Sequence, residues 1–233
     1  MCAQPDREVR SAAFGVDHPW VAVDTAVLTL DAEFGMSVLL VHKSMWDREP
    51  ASEWRLPGMF IEPGETLEAA ALRALALKAG IQGLHPRQLR VFDEPDRDAR
   101  GWTISVAHVD VVRRSRIRLQ PHTRIFPVTE LPQLDFDHRE IIELSVGRVR
   151  EGYRAHPDPY RLLSDPLFTI RDLRKLHERV LGEELNPDTF RRLMIPELIP
   201  TEEKRSGVRG KPALLYGHRD ARRTAPPLSA AGP

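Results

Sequence analysis

The sequence predicts an α+β domain followed by a smaller domain of two helices and a hairpin. Three observations carry this. Residues 21–30 and 37–43 are apolar and β-branched, which is strand chemistry. Residues 66–79 are rich in Ala and Leu, and so should be helical. From residue 167 the pattern changes to two short, capped helices and a basic hairpin flanked by glycines.

Residues 1–17 read as a loose tail. Asp31 to Gly35 forms a turn between the first two strands. Thr66 can cap the helix that follows, and Gly80 is placed to end it. Strands are expected at 88–93 and 103–113, with a charged loop between them. Ile142, Val146, Val149 and Tyr153 recur at helical spacing, and Ile141 widens the stripe, so 137–153 is a helix. Residues 18–154 therefore form one α+β domain, and the proline-containing segment 155–166 is a linker.

In the second domain, residues 167–219, Thr169 and Asp172 make a helix-start signal. Leu173, Leu176 and Val180 form the apolar stripe, and Gly182 ends the helix. Asn186-Pro187 starts the next helix, Phe190, Leu193 and Met194 form its inner face, and Pro196 closes it. Strands near 197–202 and 212–217 flank the run Lys204 to Lys211, and the Ala/Pro-rich residues 220–233 predict a disordered tail.

The 233 residues are 41% hydrophobic and 29% charged, enough for one good core or two modest ones. No run approaches the roughly 18 apolar residues of a membrane span, and the N-terminus lacks a basic-then-apolar leader pattern. The single cysteine, Cys2, leaves no disulfide within the chain, which fits a reducing cytoplasm. Net charge is zero, but residues 1–153 carry a formal −4 and residues 154–233 a formal +4. That asymmetry points the second half toward an anionic partner.

The stretch Leu56-Pro57-Gly58-Met59-Phe60-Ile61-Glu62-Pro63-Gly64-Glu65 is followed by Arg73 and by Gly80-Ile81. This resembles the Nudix box, Gly-x5-Glu-x7-Arg-Glu-apolar-x-Glu-Glu-x-Gly-apolar. The resemblance implies a Nudix-type α/β/α sandwich with a mixed sheet. The departures matter more than the matches. Met59 replaces the first glycine, Ala74 a glutamate, and Leu77 and Lys78 a glutamate pair. In the family those glutamates hold magnesium or manganese, which demand oxygen ligands. Here their positions, spaced to share one side of a helix, carry a methyl, an isobutyl and a cation. Glu62 and Glu65 alone make a poor site. No metal and no other cofactor is expected, catalytic residues are absent, and hydrolysis should be lost, leaving a pocket that can bind a nucleotide.

The loop Asp93 to Trp102 looks like the Arg-Asp-x-Arg-Gly-Trp loop of Nudix proteins related to ADP-ribose pyrophosphatases. Arg97 and Arg100 can pair with phosphate, Asp98 lies between them, and Trp102 offers a stacking face. Arg55 is a further phosphate candidate, Lys78 can neutralise a phosphate, and Asp24 can take a hydroxyl. A charged surface loop held by its own Arg–Asp pairs is the plainer reading.

Helix, short turn, helix, hairpin is the layout of a winged helix-turn-helix. Arg191 and Arg192 should face away from the core, as a helix reading the major groove requires. Asn186 and Thr189 lie on the same helix, and Lys204, Arg205, Arg209 and Lys211 make a cationic hairpin tip. Residues 191–223 carry a formal +5.

Asn186 to Arg192 and Gly207 to Tyr216 resemble the signature of the Nudix-related transcriptional regulators of bacterial NAD metabolism. Lys211-Pro212 stands where that family more often has Arg-Pro. The resemblance covers residues 18–219. It implies a cytoplasmic homodimer on a palindromic double-stranded DNA operator, usually as a repressor, released by a nucleotide effector such as ADP-ribose. Two other functions stay open on the residues. One is a Nudix hydrolase recruiting Glu62, Glu65 and Asp98 to an unconventional metal site. The other is an adaptor whose basic domain docks on an acidic protein.

Overall fold

A computed structural model of the chain describes residues 18–42, 53–206 and 212–219. The expected tails 1–17 and 220–233, Cys2, and the hairpin-tip residues Arg209 and Lys211 lie outside these residues.

The first half is built on one mixed sheet. β1 (Trp20–Asp31) and β2 (Gly35–His42) form an antiparallel hairpin, and Gly35 at φ 72° supplies the turn. β3 (Trp54–Arg55) pairs with β2, and β4 (Gly58–Phe60) with β1. β5 (Arg87–Phe92) pairs with β6 (Thr103–Val111), which runs parallel to β1. β7 (Thr123–Pro127) adds to β2. Its short mixed sequence gave no strand signal.

Helices cover both faces of the sheet. α1 (Leu67–Ala74) is capped by Thr66 Oγ1, which accepts from Ala69 N at 3.1 Å. It runs on into a π-helical turn, Leu75–Ala79, ended by Gly80 at φ 66°. Val27, Leu39, Leu75 and Ala79 are buried together on this face. α2 (His138–Ala155) covers the other face, where Ile141, Ile142, Val146 and Val149 meet Ala26, Leu28, Leu40 and Ala107. Neighbouring β1 residues thus feed opposite cores, which explains why Ala26-Val27-Leu28 is apolar without alternation.

The second half follows β8 (Leu167–Thr169). α3 (Ile170–Leu181) starts on a reciprocal capping box between Thr169 and Asp172 and ends at Gly182, φ 76°. α4 (Pro187–Met194) starts on Asn186, whose Oδ1 accepts from Asp188 N and Thr189 N at 3.1 and 3.0 Å. β9 (Leu198–Arg205) and β10 (Ala213–His218) form the expected hairpin, and β8 joins it as a third strand. One expectation fails here: Leu193 is not on the inner face. Phe190 and Met194 fill the core, while Leu193 is 61% exposed. In a helix of two turns two buried positions fix the rotation, and Leu193 falls outside the arc they define.

The halves share one apolar core, in which Val149 and Tyr153 are continuous with Phe168, Leu173, Phe190 and Tyr216. Of the expected linker 155–166, Ala155 ends α2 and residues 156–166 have no helix or strand, but they are anchored. The buried Asp158 carboxylate accepts from Tyr153 Oη at 2.8 Å, Leu162 N at 3.0 Å and Leu163 N at 3.1 Å. His218 of β10 lies 3.7 Å away, and His177 of α3 contacts the Pro157 carbonyl. Arg179 of α3 also donates to the Asp31 carbonyl in the β1–β2 turn. No helix among the described residues is long and apolar enough to cross a membrane.

Replacing Asp158 by Ala strands a buried hydroxyl and two half-buried N–H groups. It should cost about 3 kcal/mol in urea unfolding. A loss below about 1 kcal/mol would show that the connector is not held by this carboxylate.

Candidate functional site

The box loop, the 93–102 loop and the N-terminus of α2 meet around Asp24. Asp24 sits on β1 opposite Gly58 of β4. A Cβ on Gly58 would stand 1.9 Å from Asp24 Oδ1, so only glycine fits. Ser105 Oγ of β6 donates to Asp24 Oδ2 at 2.6 Å, and His138 Nε2 of α2 lies 3.3 Å from Oδ1. Leu56 N donates to His138 Nδ1 at 3.2 Å, which leaves Nε2 as the donor toward Asp24. Arg97 Nη2 comes within 3.8 Å of Oδ2. Burial pushes the carboxyl up, but His138, Ser105 and Arg97 outweigh it and hold Asp24 at about 2.

The loop is held from inside. Arg97 is nearly sealed from solvent and makes a two-point pair with Asp137, Nε to Oδ2 at 2.8 Å and Nη2 to Oδ1 at 2.5 Å. Asp137 occupies the cap position of α2 but makes no side-chain capping bond there. Its carboxylate serves Arg97 instead, at a cost of about 1 kcal/mol in capping. Phe136 adopts φ 56°, a left-handed conformation that strains a bulky residue. The Arg97 and Arg100 guanidinium groups lie 5.9 and 5.2 Å from its ring centre. Arg100 binds Asp98 through N at 3.0 Å, Nε at 2.9 Å and Nη2 at 2.8 Å. Burial raises the Asp98 carboxyl, and the Arg100 hydrogen bonds more than reverse that. Trp102 is 46% exposed. Beside the loop a groove of about 680 Å³ is lined by Arg90, Phe92, Glu94, Arg97, Phe136 and Asp137, among others.

The box itself does not fit a divalent cation. Arg73 takes both remaining acids, with Nε 2.7 Å from Glu65 Oε1 and Nη1 3.1 Å from Glu62 Oε1. The Arg73 hydrogen bond holds the Glu65 carboxyl below its ordinary value. Ala74 is buried, Leu77 is 57% exposed, and the Lys78 ammonium donates to the Gly58 carbonyl. The expectation that 74, 77 and 78 share one side is corrected here, because the π turn widens the helix after Ala74. Among the described residues no group of three His, Cys, Asp or Glu could hold a metal. Asp98 does not join Glu62 and Glu65: its carboxylate is taken by Arg100.

The predicted residues thus fall into separate clusters. Asp24, Arg97, Asp98 and Arg100 surround one loop; Glu62, Glu65 and Lys78 brace α1 against the box; Arg55 is buried on β3. Ser105, Phe136, Asp137 and His138 were missed. They meet Asp24 and Arg97 only through pairing across the fold, which local spacing does not report.

In the second half Thr189, Arg191 and Arg192 are exposed on α4. Asn186 is used as the helix cap. Lys204 and Arg205 project from β9, and Arg205 Nη1 is 2.8 Å from Asp172 Oδ2, tying the hairpin to the start of α3. A shallow groove of about 320 Å³ runs along Asp188, Arg191, Arg192, Ile195 and Pro196.

A sheet clamped between two helices, a box loop and a basic winged helix define a Nudix domain joined to a winged-helix domain. Residues 20–144 match the NUDIX domain family, and residues 159–217 match the NrtR DNA-binding winged helix domain. The ADPR responsive transcriptional repressor NtrR of Acinetobacter baylyi is 30% identical over 207 residues, 85% of this chain and 81% of that protein. The crystal structure of Shewanella oneidensis NrtR complexed with a 27mer DNA is 30% identical, with a TM-score of 0.66 over 85% of this chain and 93% of that one. The NUDIX domain of the same NrtR, complexed with ADP ribose, is 29% identical, with a TM-score of 0.50 over 61% of this chain and 98% of that one. The chain belongs to the NrtR family, in which a Nudix domain carries a C-terminal winged helix.

Asp24 supplies the pH test. Its lowering from 3.8 to about 2 contributes about 2 kcal/mol. That stability is present in full above about pH 5 and is lost as the pH falls through the folded value. Asp24→Asn should lower stability at neutral pH and flatten the acid limb of stability between about pH 4 and 2. An acid limb unchanged by the substitution would contradict the assignment.

Proposed function

We propose that this chain is a transcriptional repressor of NAD-metabolism genes, released from its operator when the Nudix-type pocket takes ADP-ribose or a related nucleotide. One observation carries the reading: the domain that bears a box whose acids are tied up by Arg73 shares a continuous core with a basic winged helix. The A. baylyi relative, described as an ADPR responsive repressor, supports it. So do the S. oneidensis NrtR structures with DNA and with ADP ribose.

The pocket binds and does not cut. Arg100 and Trp102 face the ligand at the rim; Asp24, Arg97 and Asp98 hold the loop that presents them. Arg55, Lys78, Glu62 and Glu65 complete the proposed site, with Arg73 keeping both acids from a cation. Thr189, Arg191, Arg192, Lys204, Arg209 and Lys211 face DNA, with Asn186 and Arg205 fixing the helix and wing. The protein works as a homodimer on a palindromic operator in the bacterial cytoplasm. A ligand that favours the wrong spacing of the two α4 helices must weaken operator binding.

Fluorescence anisotropy on duplexes from NAD-biosynthesis promoters tests this. Saturating ADP-ribose should weaken binding at least about tenfold. The double variant Arg191→Ala/Arg192→Ala should lose about a hundredfold without ligand. Absence of any sequence preference, or indifference to ADP-ribose and related nucleotides, would overturn the proposal.

A further inference from the structure

The outward position of Leu193 has a use. We infer that Leu193 is a base-reading residue that packs on thymine C5 methyl groups in the major groove. The inference rests on the DNA-binding reading above and names which bases that surface selects.

Four features point there. Burial of Phe190 and Met194 fixes the rotation of α4, so Leu193 is held outward at 61% exposure. It lies one turn after the exposed Thr189 and next to the exposed Arg192, on the helix rim and not in the core. The helix is rigid at its start, where Asn186 caps two N–H groups and Pro187 occupies the first turn. Its eight residues span about 12 Å, close to the width of the major groove, so its whole outer face fits inside.

The chemistry selects the target. Arg191 and Arg192 can serve phosphates or guanine edges. An isobutyl group can serve neither, and pressed on the phosphate backbone it would displace water and return nothing. The thymine methyl is the one methyl group that the natural bases present in this groove. Leu193 against that methyl gains apolar contact; against cytosine or uracil it does not.

The test uses the full chain and a duplex it has selected from a randomised 30-base-pair pool, labelled for anisotropy. Each thymine is then replaced in turn by uracil, which removes only the methyl. At one or two positions per half-site the wild-type chain should lose about fourfold in affinity, the worth of one buried methyl group. Leu193→Ala should bind thymine and uracil duplexes equally, and Leu193→Met should keep the preference. Wild-type indifference to every uracil overturns the proposal alone. So does a Leu193→Ala variant that keeps the discrimination. A wild-type chain that selects no sequence overturns the DNA-binding reading and this proposal with it.

Discussion

A carboxylate sealed inside a sheet must be matched from every side, and Asp24 is matched by segments far apart in the sequence. Ser105 reaches it from the neighbouring strand, His138 from the long helix and Arg97 from the charged loop. Gly58 matches it by having no side chain to obstruct it. Remove the carboxylate and Ser105 and His138 lose their partner in a buried place, while Arg97 keeps only Asp137. The constraint therefore fixes the box loop, the 93–102 loop and the start of α2 relative to one another. The proposed pocket is the space that this arrangement leaves.

The same helix ends at a second buried carboxylate. α2 begins at His138, which touches Asp24, and near its end Tyr153 donates to Asp158. Its 18 residues span about 27 Å. Asp158 in turn holds the connector, and His218 and His177 bring β10 and α3 to the same place. A displacement at the start of α2 has a rigid element and a packed junction through which to reach the winged helix. A loose tether would have dissipated it.

Much of this was readable in the sequence. The apolar run of β1, the Thr66 and Asn186 caps, the Thr169–Asp172 start and the terminating glycines are local signals with local causes. The box and the Arg-Asp-x-Arg-Gly-Trp loop are likewise visible as strings, and they point to the proposed pocket. What escaped detection depends on tertiary contact. β7 and β8 are short strands stabilised by their partners. The π turn after Ala74 is invisible to a 3.6-residue period, and it moved Leu77 outward. Leu193 looked internal because it is apolar, and only the packing of Phe190 and Met194 places it outside. Asp137 holds the cap position of α2, yet its carboxylate pairs with Arg97 through a contact that local spacing does not report.

The contacts within the box agree with the proposed binding role. Arg73 neutralises both remaining acids, and Lys78 ties α1 to the Gly58 carbonyl, so the box is braced by its own cations where a hydrolase needs metal. The most direct measurement is calorimetric titration of the full chain with ADP-ribose in excess magnesium, then in chelator, with the ligand recovered by chromatography afterward. The account predicts saturable binding of the same affinity in both buffers and ADP-ribose recovered intact. Binding that requires magnesium, or conversion to AMP and ribose 5-phosphate at about one turnover per second, would contradict it.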